Sequence, residues 1–389
     1  LGGTKSVANV LNKINTGTLW VHAKNNNLTG PTYINAGLLA FGNRVVGNNT
    51  ATLGTGNIFV NPGGAIQVRA ATNINTGLGQ KVVLTGTQYS PAVFRSTYNI
   101  SQAELEAMIV SPTVTSATQH AVFAHEGNLT NSYNMSAVGN GRLFIGASGD
   151  RTYSGATLSP GLPNLANAVV GGGSTNPVHR FTHVSGNTLS INLSGTGNIG
   201  NVGGTTDVQI GSLATLGSAN YNTGFVYFQD QNTYTGQTVV SRGLTLRFNT
   251  AMATGNTAGP LGANASSLID IYGGLRFEGT GNLFQNGSTT DHFYNDVRLH
   301  PGSTLTFQDM TATGGGANRW GDAVGVNLDG ATIVGEATDG ADNNTETIGS
   351  VIFDRGSRVA VASQNNGDAL LTVASVSRAA SGTGAGTGR

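Results

Sequence analysis

A short element built as strand, glycine bend, strand recurs along this chain, and no other feature limits its fold as much. Residues 58–68 bend at Gly63-Gly64, residues 269–277 at Gly273-Gly274, and residues 297–307 at Pro301-Gly302-Ser303. Residues 351–361 bend at Arg355-Gly356-Ser357, and residues 326–334 form a looser copy around Asp329-Gly330. On both sides of each bend alternate residues are apolar, the period-two pattern of a strand with one buried face. A longer similarity links Asn27-Leu28-Thr29-Gly30-Pro31-Thr32-Tyr33-Ile34-Asn35-Ala36-Gly37-Leu38 to Thr233-Tyr234-Thr235-Gly236-Gln237-Thr238-Val239-Val240-Ser241-Arg242-Gly243-Leu244, with a shorter echo at residues 153–158. After the two long copies comes a Leu-Gly pair, Leu53-Gly54 and Leu261-Gly262.

Two folds can use such an element. A hairpin would pair its own two arms antiparallel across a tight turn. A solenoid would use the glycine as a corner and stack each coil in parallel on the last. Copies separated by irregular spacers favour the solenoid, because each coil touches only its neighbours and insertions loop out sideways. The expected fold is therefore all-β, a parallel β-helix with coils of about 25 residues. Composition agrees: 59 of 389 residues are glycine and only 10% are charged, while 38% are hydrophobic, enough to build a core.

The pattern places solenoid segments at residues 1–88 and 128–381. Between them, residues 89–127 are poorer in glycine, and Ser101-Gln102-Ala103-Glu104 reads as a capping box before Leu105, Met108 and Ile109. This predicts a small lateral insertion with a short helix, which either covers a solenoid face or meets a neighbouring molecule. Residues 382–389 alternate glycine with small residues and read as a flexible linker. Leu1-Gly2-Gly3-Thr4 reads as repeat sequence rather than a leader, as expected of a mature product or a piece of something longer.

The run Asn232-Thr233-Tyr234-Thr235-Gly236-Gln237-Thr238-Val239-Val240-Ser241-Arg242-Gly243-Leu244-Thr245-Leu246 resembles the autotransporter-associated β-strand repeat, whose core is N-x-Y-[TS]-G-x-T-x-[VI], then a glycine and a Leu-rich strand. The copy beginning at Asn26 departs by carrying Leu28 at the aromatic position, and the copy beginning at Thr152 loses the pattern after Leu158. The matches cover a small part of the chain. The resemblance implies a right-handed parallel β-helix in a large exported bacterial surface protein, and a structural or adhesive role with no shared catalytic residues.

No catalytic, cofactor or metal residue stands out in the sequence. Gly195-Thr196-Gly197-Asn198-Ile199-Gly200 fits a dinucleotide fingerprint, but Asn201-Val202-Gly203-Gly204-Thr205-Thr206 beyond it is poor helix material. Gly54-Thr55-Gly56-Asn57 and Gly279-Thr280-Gly281-Asn282 repeat its tetrapeptide, so a repeat turn explains all three. His179 and His183 would form half a metal site on a helix, but their segment reads as a strand. His120 and His125 fall on opposite strand faces, and all four are expected to be exposed or structurally bonded. Glu336, Asp339, Asp342, Asn343 and Glu346 could surround a calcium ion, or simply form a solvated loop. Asp291, Asp296 and Asp309 could sit on neighbouring coils, as acids do in glycan-cleaving enzymes built on β-helices. Tyr221, Phe225, Tyr227 and Tyr234 could bind sugar, or form core and ladder.

The partner classes narrow similarly. The net charge is zero, without the basic stripe that nucleic acid requires. There is no apolar run of about 18 residues to insert in a membrane as a helix, and no cysteine for disulfides or thiolate metal sites. Residues 1–200 carry ten Lys/Arg against four Asp/Glu, and residues 201–389 nine against fifteen. Opposite poles of that kind suit end-to-end, head-to-tail self-association. The expected role is a secreted, non-enzymatic, structural or adhesive protein of the extracellular space or outer cell surface, meeting surface glycans or a host cell surface. The alternatives are a polysaccharide lyase or hydrolase, or a carbohydrate-binding protein, on the same scaffold.

Overall fold

The computed structural model of the chain describes residues 9–22, 28–42, 51–87, 90–110, 120–163, 175–184, 188–193, 199–211, 224–249, 259, 261–262, 268–278, 296–309, 320, 326–337, 343–354, 356–363 and 368–378. It divides into two compact units, Leu1–Asn198 with Val202–Val226, and Ile199–Asn201 with Tyr227–Arg389. Each is a parallel β-solenoid.

In the first unit one stack runs through Thr18–Val21, Gly37–Phe41, Gly64–Val68, Ala92–Ser96, Ala121–His125, Phe144–Ala147, Val178–Phe181 and Asp207–Ile210, every neighbouring pair parallel. A second stack holds Leu11–Lys13, Thr32–Ile34, Ile58–Val60 and Val82–Leu84, also parallel. In the second unit, one parallel stack contains Thr238–Val240, Leu268–Ile271, Asp296–Leu299, Val326–Asp329, Asn343–Asp354 and Asp368–Arg378. Its companion contains Leu244–Phe248, Gly274–Glu278, Thr304–Asp309, Thr332–Ala337 and Arg358–Ser363.

These pairings decide between hairpin and solenoid. The two arms of every strand-glycine-strand copy lie in different stacks, and each arm pairs with the equivalent arm one coil away. The glycine turns a corner. The Leu-Gly pairs show why glycine is required there. Gly54 has φ +121°, and a Cβ on it would lie 2.2 Å from the Leu28 carbonyl oxygen in the coil beneath. Gly262 has φ +101°, and its Cβ would lie 2.3 Å from the Tyr234 carbonyl oxygen. Both positions combine a left-handed backbone with a contact too close for any side chain.

Inward residues stack in lines. In the first unit Leu39, Ile66, Phe94, Phe123, Ile145, Phe181 and Ile210 succeed one another in register, all at 1% exposure or less. In the second, Phe248, Phe277 and Phe307 follow one another at 4.6 and 5.0 Å between ring centroids, the first pair edge to face and the second tilted, with buried Trp320 against the last two. Each such side chain stabilises the fold by about 1.5–3 kcal/mol of apolar transfer. Corners carry polar ladders instead: Asn61 Nδ2 donates to Asn35 Oδ1 at 2.6 Å, and the Thr85 hydroxyl donates to Asn61 Oδ1 at 2.8 Å.

The expected helix is present at Gln102–Met108, with Ser101 and Glu104 closing the capping box and Leu105 and Met108 buried. The strands Ala92–Ser96 and Ala121–His125 are stacked neighbours within residues 89–127, so the excursion that carries the helix lies between two consecutive coils. Ile109 returns it to the second stack through a parallel bridge to Val82. Residues 382–389 lie outside the described residues.

Candidate functional site

Several chemistry-bearing side chains of the described residues are held in bonds that organise the coils. One surface cluster lies on the corner between the two stacks of the second unit. Ile271 is in register with Leu299 and both point inward, so the next residues, Tyr272 and His300, reach the same corner one coil apart. Their rings stack face to face at 3.7 Å and 6°. Asp270, one residue before Ile271, faces outward and receives His300 Nε2 at 2.5 Å, with side chains 9% and 28% exposed respectively. Arg242 Nη2 donates to the Pro301 carbonyl at 2.9 Å across the same corner. Burial first, then the Asp270 charge, raises the Tyr272 hydroxyl above its ordinary range, while Arg298 acts the other way. Gly243, Gly273 and Gly302 leave an open trough of about 600 Å³ beside Arg242 and Tyr272.

A second cluster sits on the outer face of the neighbouring stack. Arg247 and Arg276 are in register. Arg247 grips Glu278 with two hydrogen bonds, 2.7 and 2.8 Å, and Arg276 Nε approaches the same carboxylate at 3.0 Å. The Arg247 guanidinium also lies 5.1 Å above the Tyr227 ring. The carboxylate is 4% exposed between two cations, a closed arrangement that fastens adjacent strands.

In the first unit His120, His125, His179 and His183 are buried rather than exposed. His120 meets Phe144 edge-on at 4.3 Å, and neither of its ring nitrogens has a hydrogen-bond partner. Desolvation alone pushes it down to about 3. His125 is lowered to about 4, by burial first, and its Nδ1 meets the Gly127 carbonyl. His179 lies in the strand Val178–Phe181 and His183 just beyond it, so the helical metal half-site does not exist. His183 Nε2 meets the Gly149 carbonyl at 3.3 Å, and burial lowers it too. Arg180 is fully enclosed and donates to the carbonyls of Leu162, Gly141 and Val178 at 2.8, 3.3 and 3.4 Å. Its guanidinium is pushed down to about 9, chiefly by desolvation.

The other sequence candidates disperse. Glu346 is buried and accepts the Trp320 backbone N–H at 2.9 Å, Glu336 stands in the strand Thr332–Ala337, and Asp339 and Asp342 lie outside the described residues. Asp296 opens one strand and Asp309 closes another in the companion stack, while Asp291 lies outside the described residues. Tyr234 is wholly buried with its hydroxyl on Thr238 at 2.8 Å, Phe225 and Tyr227 are half-buried, and Tyr221 lies outside the described residues. Gly195, Gly197 and Gly279–Asn282 also lie outside them. Among the described residues no three His, Asp or Glu side chains are placed to hold a metal, and no helix is long and apolar enough to cross a membrane. The Asp270–His300 pair was missed in the sequence. Aligning the copies at Gly273 and Gly302 sets Tyr272 over Pro301, whereas the observed register of Ile271 with Leu299 sets it over His300 in the next coil.

Comparison with known proteins finds no family model that matches the chain, and no curated protein or solved structure similar to it.

Proposed function

We propose that this chain is a structural or adhesive element of a bacterial extracellular or cell-surface protein, working by shape and surface contact rather than by catalysis, and associating through its ends. The observation that carries this reading is where its reactive side chains go. Glu278 fastens two strands, Arg180 and His125 bond to backbone carbonyls, and Asn35, Asn61 and Thr85 tie successive corners. The likeness of residues 232–246 to the autotransporter-associated repeat supports an exported, surface-displayed setting.

A second reading rests on the Asp270–His300 corner. An imidazole oriented by a carboxylate beside an open trough and an arginine could meet an acidic glycan. One experiment separates the two. The purified chain is incubated with a panel of acidic and neutral polysaccharides while chain length and binding are tracked. Binding without shortening, or neither, fits the mechanical reading; turnover that is lost in His300→Ala overturns it.

A further inference from the structure

The corner beside the trough changes length from coil to coil. On one coil four residues lie between Val240 and Thr245, on the next two lie between Ile271 and Gly274, and on the third four lie between Leu299 and Thr304. Those six bounding residues are in register, so the middle corner is cut short between two longer ones. Gly273 makes the short cut possible. A Cβ on it would lie 2.2 Å from the Leu244 carbonyl oxygen and 2.3 Å from that of Ser241. On the third coil a Cβ on Gly302 would meet nothing within 4 Å, because that side opens into the recess. The recess is the trough of about 600 Å³, a volume that suits a small ligand.

Its rim carries a cation that the fold does not neutralise. Arg242 leaves the first long corner and crosses the recess to the Pro301 carbonyl on the other, at 2.9 Å. Among the described residues no carboxylate pairs with it, whereas Arg247 and Arg276 share Glu278. One Nη2 hydrogen serves Pro301, which leaves Nη1 for an anion. Thr245 and Thr304 line the trough from the companion stack, two coils and roughly 10 Å apart, and Tyr272 adds an aromatic wall. His300 stacks on Tyr272 and does not itself line the trough.

We propose that this trough binds an anionic saccharide, Arg242 holding the carboxylate of a uronate residue while Thr245 and Thr304 meet its hydroxyls. A simple inorganic anion would use Arg242 but not a recess of that volume, and a neutral sugar would leave the guanidinium unmatched. The inference rests on the second reading above, that this corner meets an acidic glycan, and adds the group that holds it.

The test is equilibrium binding to the full chain, by calorimetry, of a galacturonic acid trimer, its methyl ester and sodium sulfate. The variants are R242Q and G302N. Asparagine tolerates a left-handed backbone, so G302N fills the recess without touching the charge, and an unchanged unfolding midpoint shows that it folds. The natural chain binds the acid trimer. Esterification, R242Q and G302N each weaken binding at least roughly tenfold, as expected for losing a hydrogen bond to a charged group. No binding of the acid trimer overturns the proposal, as does binding indifferent to the ester, to R242Q or to G302N, or sulfate bound as tightly as the trimer. H300A tells this inference from the reading beneath it, and is expected to keep the binding. Binding lost in H300A but kept in R242Q would place the glycan on the Asp270–His300 face, overturning the proposal and leaving that reading intact.

Discussion

His120 and His300 both sit where a strand meets a corner, one in each unit, and they live in opposite chemical surroundings. His120 is enclosed against Phe144 with no partner for either nitrogen, whereas His300 is partly exposed, bonded to Asp270 and stacked on Tyr272. The same contrast extends to the arginines. Arg180 in the first unit is wholly enclosed and bonds to backbone carbonyls, while Arg247 in the second clasps a carboxylate near the surface. Identical stacking thus tolerates two ways of placing a polar side chain. Inside, a histidine survives by staying neutral; outside, a charge survives by being paired.

The largest expected effect sharpens the paired half of that contrast. Glu278→Ala leaves Arg247 and Arg276 facing each other with no anion between them and should cost about 3 kcal/mol, near the low end for breaking a buried pair. Thermal or denaturant unfolding of the second unit measures it, and a loss below about 0.5 kcal/mol would mean that solvent already screens the cluster.

Next comes the neutral half. An unfolded histidine takes up its proton near pH 6.5, but folded His120 resists until about 3 and folded His125 until about 4. Between those limits the unfolded chain binds more protons than the folded one. Stability is therefore full above about pH 6.5 and falls with pH through that window, each histidine contributing about 1.4 kcal/mol per pH unit. Denaturant midpoints at pH 7 and pH 5 should differ accordingly for the first unit, and His120→Leu should remove one histidine's share. An unchanged pH slope in that variant would show that His120 is reached by water.

Exposed corners should give smaller effects. Asp270→Asn removes the charge that orients His300 at a partly exposed corner, for about 1 kcal/mol in unfolding experiments on the second unit. Asn61→Ala breaks both links of the Asn35–Asn61–Thr85 ladder. It should cost the first unit about 0.5–1.5 kcal/mol in unfolding experiments, so an unchanged midpoint would reduce the ladder to decoration.

Much of this architecture could be read from residue order alone. Alternation on either side of Gly64, Gly273 and Gly302 identified strands and corners, and Ser101 with Glu104 announced the helix, while the Leu-Gly pairs stood out only as a repeat until the structure placed them at close approaches between coils. The histidines of the first unit were harder. Nothing in Val178-His179-Arg180-Phe181 distinguishes a buried polar strand from an exposed one, and the strand is buried throughout. Asp270 and His300 were invisible as a pair because 30 residues separate them.

Local order therefore determined where this chain extends and where it turns, since φ preferences and alternation act within a few residues. Only the tertiary structure decided which side chain lies above which. Coils meet through spacers of differing length, and the entropic cost of closing a loop grows only slowly with length, so the spacers carry no record of register. Register comes instead from the fit of one coil upon the next: Phe123 on Phe94, Asn61 on Asn35, His300 on Tyr272.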